Sequence, residues 1–226
     1  MIKFHKVTKK FGTGKTALSN IDFEVEPKEF VFIVGPSGAG KTTLLRLLTK
    51  ESVPTSGEIY VGNVKLSALP YSKIHELRRS IGFIFQDFRL LLDRTASENV
   101  GMPLEVAGVA VEEIKKKVEK ALKMVGLIDK QHHFPVQFSA GELQRLSLAR
   151  AVIGDPAIII ADEPTGNLDP KTSWEIIDLL QKINEKGHTV IVATHDQDVV
   201  NNLKKRVITI KDGEIVKDVR EGKYTL

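Results

Sequence analysis

Residues 35–42 read Gly-Pro-Ser-Gly-Ala-Gly-Lys-Thr, and no other stretch limits the possible folds of this chain so tightly. A glycine, four residues and then Gly-Lys-Thr is the spacing of a phosphate-binding loop. The pattern has meaning only between a strand and a helix, and both are predicted here. Residues 30–34 are an unbroken apolar run ending at Gly35, which predicts a buried strand. Residues 43–48, beginning at Thr43, predict the start of a helix. In that setting successive backbone N–H groups curl around a phosphate, and the helix N-terminus adds a favourable field. Lys41 would reach the β- and γ-phosphates, and the Thr42 hydroxyl would sit on magnesium. A plain glycine-rich turn before a core helix would need none of these residue types in this order.

The remaining composition narrows the class. A chain of 226 residues is long enough for one large α/β domain, or for a core carrying a lobe. It has no cysteine, hence no disulfide framework and no thiol chemistry. Its formal charge of +4 is modest and evenly spread. That would suit an anionic membrane surface and is no argument for nucleic acid. No segment reaches the roughly 20 apolar residues that span a bilayer, and none resembles a signal peptide, so a soluble, cytoplasmic protein is expected.

Taken in order, residues 1–7 and 17–25 alternate as strands, with a polar turn over 9–15 between them. Phe11 in that turn could stack on an adenine ring or pack the turn onto the sheet. Short strands are expected at 57–61, 64–66 and 81–85, and a basic helix at 71–79. Residues 93–138 predict an inserted helical lobe. Within it, Thr95 and Glu98 mark a helix start, and Ile114, Val118, Leu122 and Val125 form one face of an amphipathic helix. Ser139 followed by Glu142 is a capping box opening the next helix, which runs to about 153. Residues 157–161 and 189–193 are continuous apolar runs of the kind found in central parallel strands. A helix over 171–185 joins them, a brief one follows at 196–203, and Asp212-Gly213 signals a hairpin. The last residues read as surface tail.

Two more candidate sites lie at strand ends, the edge at which open α/β sheets bind ligands. Asp162 and Glu163 follow the run at 157–161. Asp162 could hold hydrated magnesium, and Glu163 could orient or deprotonate a water; the alternative is a pair of acids in a solvated turn. Gln86 ends another strand and could ligate magnesium or position the attacking water, or be a polar loop residue. His195 ends a third, where a neutral imidazole could hydrogen-bond a γ-phosphate. His132-His133 has no acidic or cysteine cluster beside it and predicts no metal.

In this order the motifs resemble the ATP-binding cassette family over essentially the whole chain. The phosphate loop is Gly35, Pro36, Ser37, Gly38, Ala39, Gly40, Lys41 and Thr42, with Thr43 after it. The Q-loop glutamine corresponds to Gln86. The signature, usually Leu-Ser-Gly-Gly-Gln, corresponds to Phe138, Ser139, Ala140, Gly141 and Glu142. Asp162 closes the second nucleotide motif, Glu163 takes the catalytic glutamate position, residues 166–169 the D-loop, and His195 the switch histidine. The family's adenine-stacking aromatic maps to Phe11. The resemblance implies an α/β fold: a P-loop NTPase core with a mainly parallel sheet, an N-terminal antiparallel β subdomain and an inserted α-helical signature subdomain. It divides the single domain into residues 1–92 and 139–226 as core and about 93–138 as lobe. It also implies ATP and Mg2+ as cofactors, ATP hydrolysis, and a head-to-tail homodimer in the ATP state. In that dimer one chain would supply Lys41, Thr42, Gln86, Asp162, Glu163 and His195, and the other Ser139 and its neighbours. Magnesium would rest on Thr42, Gln86 and Asp162.

The signature departs from the family at Ala140 and Glu142. Residues 81–95, Glu98-Asn99-Val100 and 162–169 are most similar to the cell-division branch of the family. That likeness implies an integral, four-helix membrane partner that holds the chain peripherally on the inner face of the cell membrane, and control of peptidoglycan hydrolysis. Lipoprotein-release and macrolide-export branches share 162–169 and are the alternative. A soluble member acting on nucleic acid or ribosomes is a further one, with no basic arm or second cassette to support it. Phe88, Leu90, Leu91 and Leu92, rimmed by Asp87, Arg89, Asp93 and Arg94, are the predicted contact with the partner.

Overall fold

In the computed structural model, residues 1–12 and 14–224 are described. Alternating apolar residues build a first sheet. β1 (Ile2–Lys10) buries Ile2, Phe4 and Val7, and β2 (Thr16–Val25) buries Leu18, Ile21, Phe23 and Val25. They pair antiparallel with Phe4 opposite Phe23, their rings stacked 4.8 Å apart. The strand predicted over 1–7 continues to Lys10, because Lys9 and Lys10 still pair with Leu18 and Thr16 after register shifts. The predicted turn is shorter accordingly, and its Thr13 lies outside the described residues.

Continuous apolar runs build the second sheet. β3 (Phe30–Val34) is buried at all five positions and runs straight into the phosphate loop and α1 (Lys41–Leu48). β4 (Ser56–Val61) and β5 (Val64–Lys65) complete the first sheet, in the order β2-β1-β4-β5. Then follow α2 (Ile74–Arg79), β6 (Ile81–Ile84), α3 (Ala96–Val106), α4 (Val111–Met124) and α5 (Ala140–Val152). β7 (Ile158–Asp162), α6 (Pro170–Glu185), β8 (Thr189–Ala193), α7 (Gln197–Leu203), β9 (Arg206–Lys211) and β10 (Glu214–Val219) close the fold. The second sheet has the order β10-β9-β3-β8-β7-β6, parallel from β9 to β6, with β10 antiparallel at the edge.

This order matters for function. β3, β8, β7 and β6 are neighbours pointing the same way, so the turns after them open along one edge. Two cores hold the sheet from its two faces. Phe30, Phe32 and Val34 of β3 join the helices α3 to α6, while Val31 and Ile33 join α1 and the first sheet. α3 starts on the predicted capping box, with the Thr95 side chain accepting from the Glu98 N–H. α4 buries Ile114, Val118, Ala121 and Leu122 toward α3 and α5. The chain end is not simple surface tail. Gly222 donates to the Lys205 carbonyl at 3.0 Å, Tyr224 donates from its N–H to Asn201 at 2.8 Å, and the half-buried Tyr224 ring packs on the helical core. Residues 225–226 lie outside the described residues.

Candidate functional site

The phosphate loop is shaped by the strand beside it. A Cβ at Gly35 would stand 2.1 Å from the Ile210 carbonyl oxygen of β9, so only glycine lets β3 turn off there. The loop closes through the Ala39 N–H on the Pro36 carbonyl at 3.2 Å. Gly40 enters α1 in the left-handed conformation, and no side chain caps the helix. The first-turn N–H groups are therefore left to a ligand or solvent.

The side chains at the strand ends hold one another. Buried Lys41 donates to the carbonyls of Gly35 at 2.8 Å and Pro36 at 3.3 Å, and its ammonium lies 3.5 Å from Glu163. The Thr42 hydroxyl donates to Asp162 at 3.2 Å. Glu163 sits at φ 50°, a left-handed conformation uncommon for its type, and is fixed by its N–H on the Ala193 carbonyl at 2.8 Å. Its second carboxylate oxygen meets His195 Nδ1 at 2.8 Å and accepts from the His195 N–H at 3.3 Å. Thus β3, β7 and β8 each bring a functional group to one point. Gln86, exposed just after β6, joins them from the side. Its amide nitrogen lies 3.7 Å from where a Cβ on Gly166 would stand, in the turn after Glu163.

Burial pushes the Asp162 carboxyl above its ordinary value, and the Glu163 charge adds to this; the Thr42 hydrogen bond opposes it. A cation beside Asp162 would relieve that cost. Thr42 and Asp162 are a hydroxyl and a carboxylate within hydrogen-bond reach, the hard oxygen donors magnesium takes. Among the described residues no cluster of three or more His, Cys, Asp or Glu could hold a metal by itself.

Phe11 is 44% exposed, with the Lys9 ammonium 5.3 Å from the centre of its ring.

The signature stretch stands apart. Ser139 and Ala140 are exposed at the start of α5. The Ser139 hydroxyl accepts from the Glu142 N–H at 3.4 Å, and Glu142 accepts from the Ser139 N–H at 2.9 Å, the predicted capping box. Glu142 also pairs with Lys130 at 2.5 Å, and this ammonium, with the Ser139 N–H, holds its carboxyl below the usual carboxylate range. A Cβ at Gly141 would stand 2.4 Å from the Thr172 methyl of α6, so this glycine lets α5 close on α6. With residues 167–169 the stretch walls a cleft of about 510 Å³. Among the described residues no hydrogen bond or ion pair joins residues 139–142 to 35–42.

Two residues to which sequence reasoning gave no positioning role, Arg150 and Asn99, hold the two successive turns after Gln86. Phe88 and Arg89 are consecutive left-handed residues at φ 58° and 46°. Arg150, from the far end of α5, donates to both of their carbonyls, at 2.6 Å to Phe88. Fully buried Asn99 spans the next turn, accepting from the Leu91 N–H at 2.8 Å and donating to the carbonyls of Leu91, Arg94 and Thr95. The only available signal was a polar residue on the inner side of a helix. The predicted contact run divides: Phe88 and Leu90 are half-buried, Leu90 against the helical core, while Leu91 and Leu92 are exposed. A groove of about 1180 Å³ opens alongside, between α2 and β6 on one side and α3 on the other. Its wall is made by Phe85 and Arg89 rather than by Leu91 and Leu92.

The ABC transporter family model matches residues 18–166. The chain is 47% identical over 224 residues to the cell division ATP-binding protein FtsE of Bacillus subtilis, covering 99% of this chain and 98% of that one. It is 43% identical over 215 residues to FtsE of Escherichia coli, covering 95% of this chain and 97% of that protein. Among solved structures, the dimeric post-hydrolysis state of the ATP-binding cassette MJ0796 bound to ADP and Pi superposes with a TM-score of 0.90. That protein is 40% identical, and the match covers 99% of this chain and 100% of the other.

Proposed function

The chain belongs to the ABC transporter family and is one of its ATPases, and on that premise we propose that it drives an FtsE-like cell-division complex in the membrane. The reading has the chain cytoplasmic, held on the inner face of the membrane by an integral partner resembling FtsX. There it would turn ATP hydrolysis into motion that controls peptidoglycan hydrolysis. The identity to FtsE proteins over nearly the full length supports this branch. No helix among the described residues is long and apolar enough to cross a membrane, so a membrane role calls for a partner.

The observation that carries the chemistry is the meeting of Lys41, Glu163 and His195 at adjacent strand ends. Residues 35–43 would wrap the phosphates of ATP, with Lys41 leaving its loop carbonyls for the β- and γ-phosphates. Phe11 would stack on adenine. Glu163 would take a proton from the attacking water as its oxygen bonds to the γ-phosphorus and the bond to ADP breaks. His195 would hold Glu163 in orientation and contact the γ-phosphate. Gln86 would position the water. Magnesium, on Thr42 and Asp162 with Gln86 beside them, would neutralise charge on the phosphates. Lys41 and backbone N–H groups would stabilise the charge spreading on the transferring group.

Ser139, Ala140, Gly141 and Glu142 carry phosphate-binding character away from the phosphate loop. Their use requires a second chain, so two copies would meet head to tail with ATP between them. The dimeric state of the MJ0796 structure supports the pairing of two copies. The groove beside Gln86 would receive the partner's cytoplasmic element.

A detergent pull-down from native membranes, read by mass spectrometry, tests the assignment. An FtsX-like protein is expected. Recovery of a lipoprotein-releasing or macrolide-exporting permease would refute the cell-division role. A salt-sensitive, high-affinity complex with DNA or RNA in place of any membrane protein would move the chain to a different class.

A further inference from the structure

The groove between α2, β6 and α3 has an unusual charge balance. The chain as a whole carries 33 Lys and Arg against 29 Asp and Glu. The groove is lined by Lys50, Arg78, Arg79, Arg89, Lys117 and Arg150, six cations, against Glu51 alone. Glu51 is itself engaged by Arg46 at 3.7 Å.

Some cations of the molecule meet carboxylates, as Arg206 meets Glu29 and Asp218, and Arg145 meets Glu175. In the groove four of the six do not. Among the described residues their hydrogen-bond partners are carbonyls only. Lys50 donates to Leu66 and Leu69, at 2.7 and 2.6 Å. Arg78 donates to Thr49 at 3.1 Å, Arg79 to Val106 at 2.9 Å, and Arg150 to Phe88 and Arg89. Carbonyls satisfy the N–H groups and leave the net charge in place. For Arg150, burial lowers the pKa, with no carboxylate to oppose it.

Between these cations the surface is apolar. Ile81, Phe83, Met102, Leu104 and Val106 line it, and Tyr71 stands 90% exposed at its edge. Apolar walls lower the local dielectric and strengthen each cation's field. An occupant that filled the groove with cationic or neutral groups would bury these charges unpaired, which is costly. One that brought carboxylates would pair them. At about 1180 Å³ the groove exceeds an ordinary small-molecule site and suits a helix laid in it.

We infer that the groove is selective for an acidic amphipathic helix of the membrane partner, its apolar stripe on Phe83, Met102 and Leu104 and its carboxylates on Arg78, Arg79 and Arg150. This rests on the reading of the groove as the partner's docking surface and adds the chemistry of what docks. Arg150 gives the pairing a consequence, because the same guanidinium holds the left-handed turn after Gln86. A carboxylate drawing on Arg150 would loosen or tighten that turn, and so reach the ATP site.

Three labelled helical peptides test the selectivity on the full chain by fluorescence anisotropy. All share one leucine stripe at i, i+3, i+4 and i+7, and their flanks carry Glu, Gln or Lys. The Glu peptide is expected to bind about tenfold or more tighter than the Gln peptide, to weaken as salt rises, and the Lys peptide to bind least. The double substitution Arg78→Glu, Arg79→Glu leaves four cations against three acids, so it should remove most of the preference for the Glu peptide over the Lys peptide while ATPase activity persists. Equal affinity for the three peptides, or no binding of the Glu peptide, overturns the inference. So does displacement of the Glu peptide by phosphatidylglycerol vesicles that themselves bind the chain at the groove, which would make it a headgroup surface. A photocrosslinker in place of Tyr71, in the complex purified from membranes, separates this from the docking reading. A crosslink to a membrane-protein segment without acidic excess refutes the selectivity and leaves the docking intact. No crosslink to a membrane protein refutes the docking itself.

Discussion

Lys41 and Glu163 lie 3.5 Å apart at the ends of two strands buried at every position, β3 and β7. Gln86 and Ser139, by contrast, sit on exposed turns at the edges of the helical lobe. At the strand ends the functional groups hold one another: Lys41 with Glu163, Glu163 with His195, Thr42 with Asp162. On the lobe side each functional turn is held by something remote in sequence. Arg150 holds the turn after Gln86, Asn99 holds the turn after that, and Lys130 grips Glu142 beside Ser139. A site built on adjacent strands is preorganised by the sheet, which suits charge stabilisation during phosphoryl transfer. A site hung on turns can shift by giving up a few side-chain hydrogen bonds, which suits coupling to a partner. One chain would thus keep its chemistry rigid and its communication adjustable.

The largest expected effect lies in the rigid half. Glu163→Gln keeps the shape and removes the base. ATP hydrolysis should fall about a thousandfold, within the usual range for a general base. ATP binding should remain, and the ATP-bound dimer should accumulate in sedimentation. A chain that stays monomeric at high concentration with ATP would contradict the head-to-tail dimer. The next effect lies in the adjustable half. Arg150→Ala removes two charge-assisted hydrogen bonds and frees a left-handed pair, at a cost of about 1.5–3 kcal/mol in denaturant unfolding. If the turn also positions Gln86, kcat should fall while KM for ATP changes little. Arg150→Lys should recover part of both, because a single ammonium lacks the planar fork that reaches two carbonyls. A purely structural arginine would lower stability and leave kcat per folded molecule unchanged.

The same contrast explains what could be read in advance. The strand at Phe30–Val34, the loop at 35–42 and the acids after 157–161 are local patterns, with each functional residue within a few positions of the strand that places it. The capping boxes at Thr95–Glu98 and Ser139–Glu142 are also local, and both formed. What local pattern does not contain is the pairing of distant residues. Arg150 and Phe88 are 62 positions apart, and nothing near either one indicates the other. Likewise β1 runs on past the predicted turn because of its partner strand, and the tail is held by Tyr224 meeting Asn201. The leucines after Gln86 illustrate the limit: composition marked an apolar patch with a charged rim, and tertiary packing turned Leu90 inward and made the groove from Phe85 and Arg89.

A smaller effect is expected at Phe11. Its exposed ring contributes little to packing, so Phe11→Ala should leave thermal stability nearly unchanged. Lost stacking on adenine would cost about 0.5–1.5 kcal/mol, a drop of a few-fold in ATP affinity by equilibrium dialysis. The opposite result, lower stability with unchanged affinity, would return Phe11 to the role of a turn anchor.

The smallest effect separates structure from chemistry within the signature itself. Glu142 stands where the family usually has glutamine, and in this chain it both completes the capping box and pairs with Lys130. Glu142→Gln keeps an acceptor for the Ser139 N–H, so the box survives. The ion pair is lost, at a cost of about 0.2–1 kcal/mol for a pair with one partly exposed member. The pH dependence has a definite sign. Lys130 and the Ser139 N–H hold the Glu142 carboxyl below its ordinary 4.5 in the folded state. The group therefore contributes stability that is complete above that value and lost as pH falls through the depressed one. The difference in melting temperature between the parent chain and the variant should be present at neutral pH, shrink once the pH passes below 4.5, and shift with salt. ATPase activity should stay close to that of the parent, because Ser139 and the N–H groups opening α5 do not move. If hydrolysis instead changes severalfold while the melting temperature does not, the carboxylate acts on the nucleotide across the dimer, and the exposed turns carry chemistry as well as coupling.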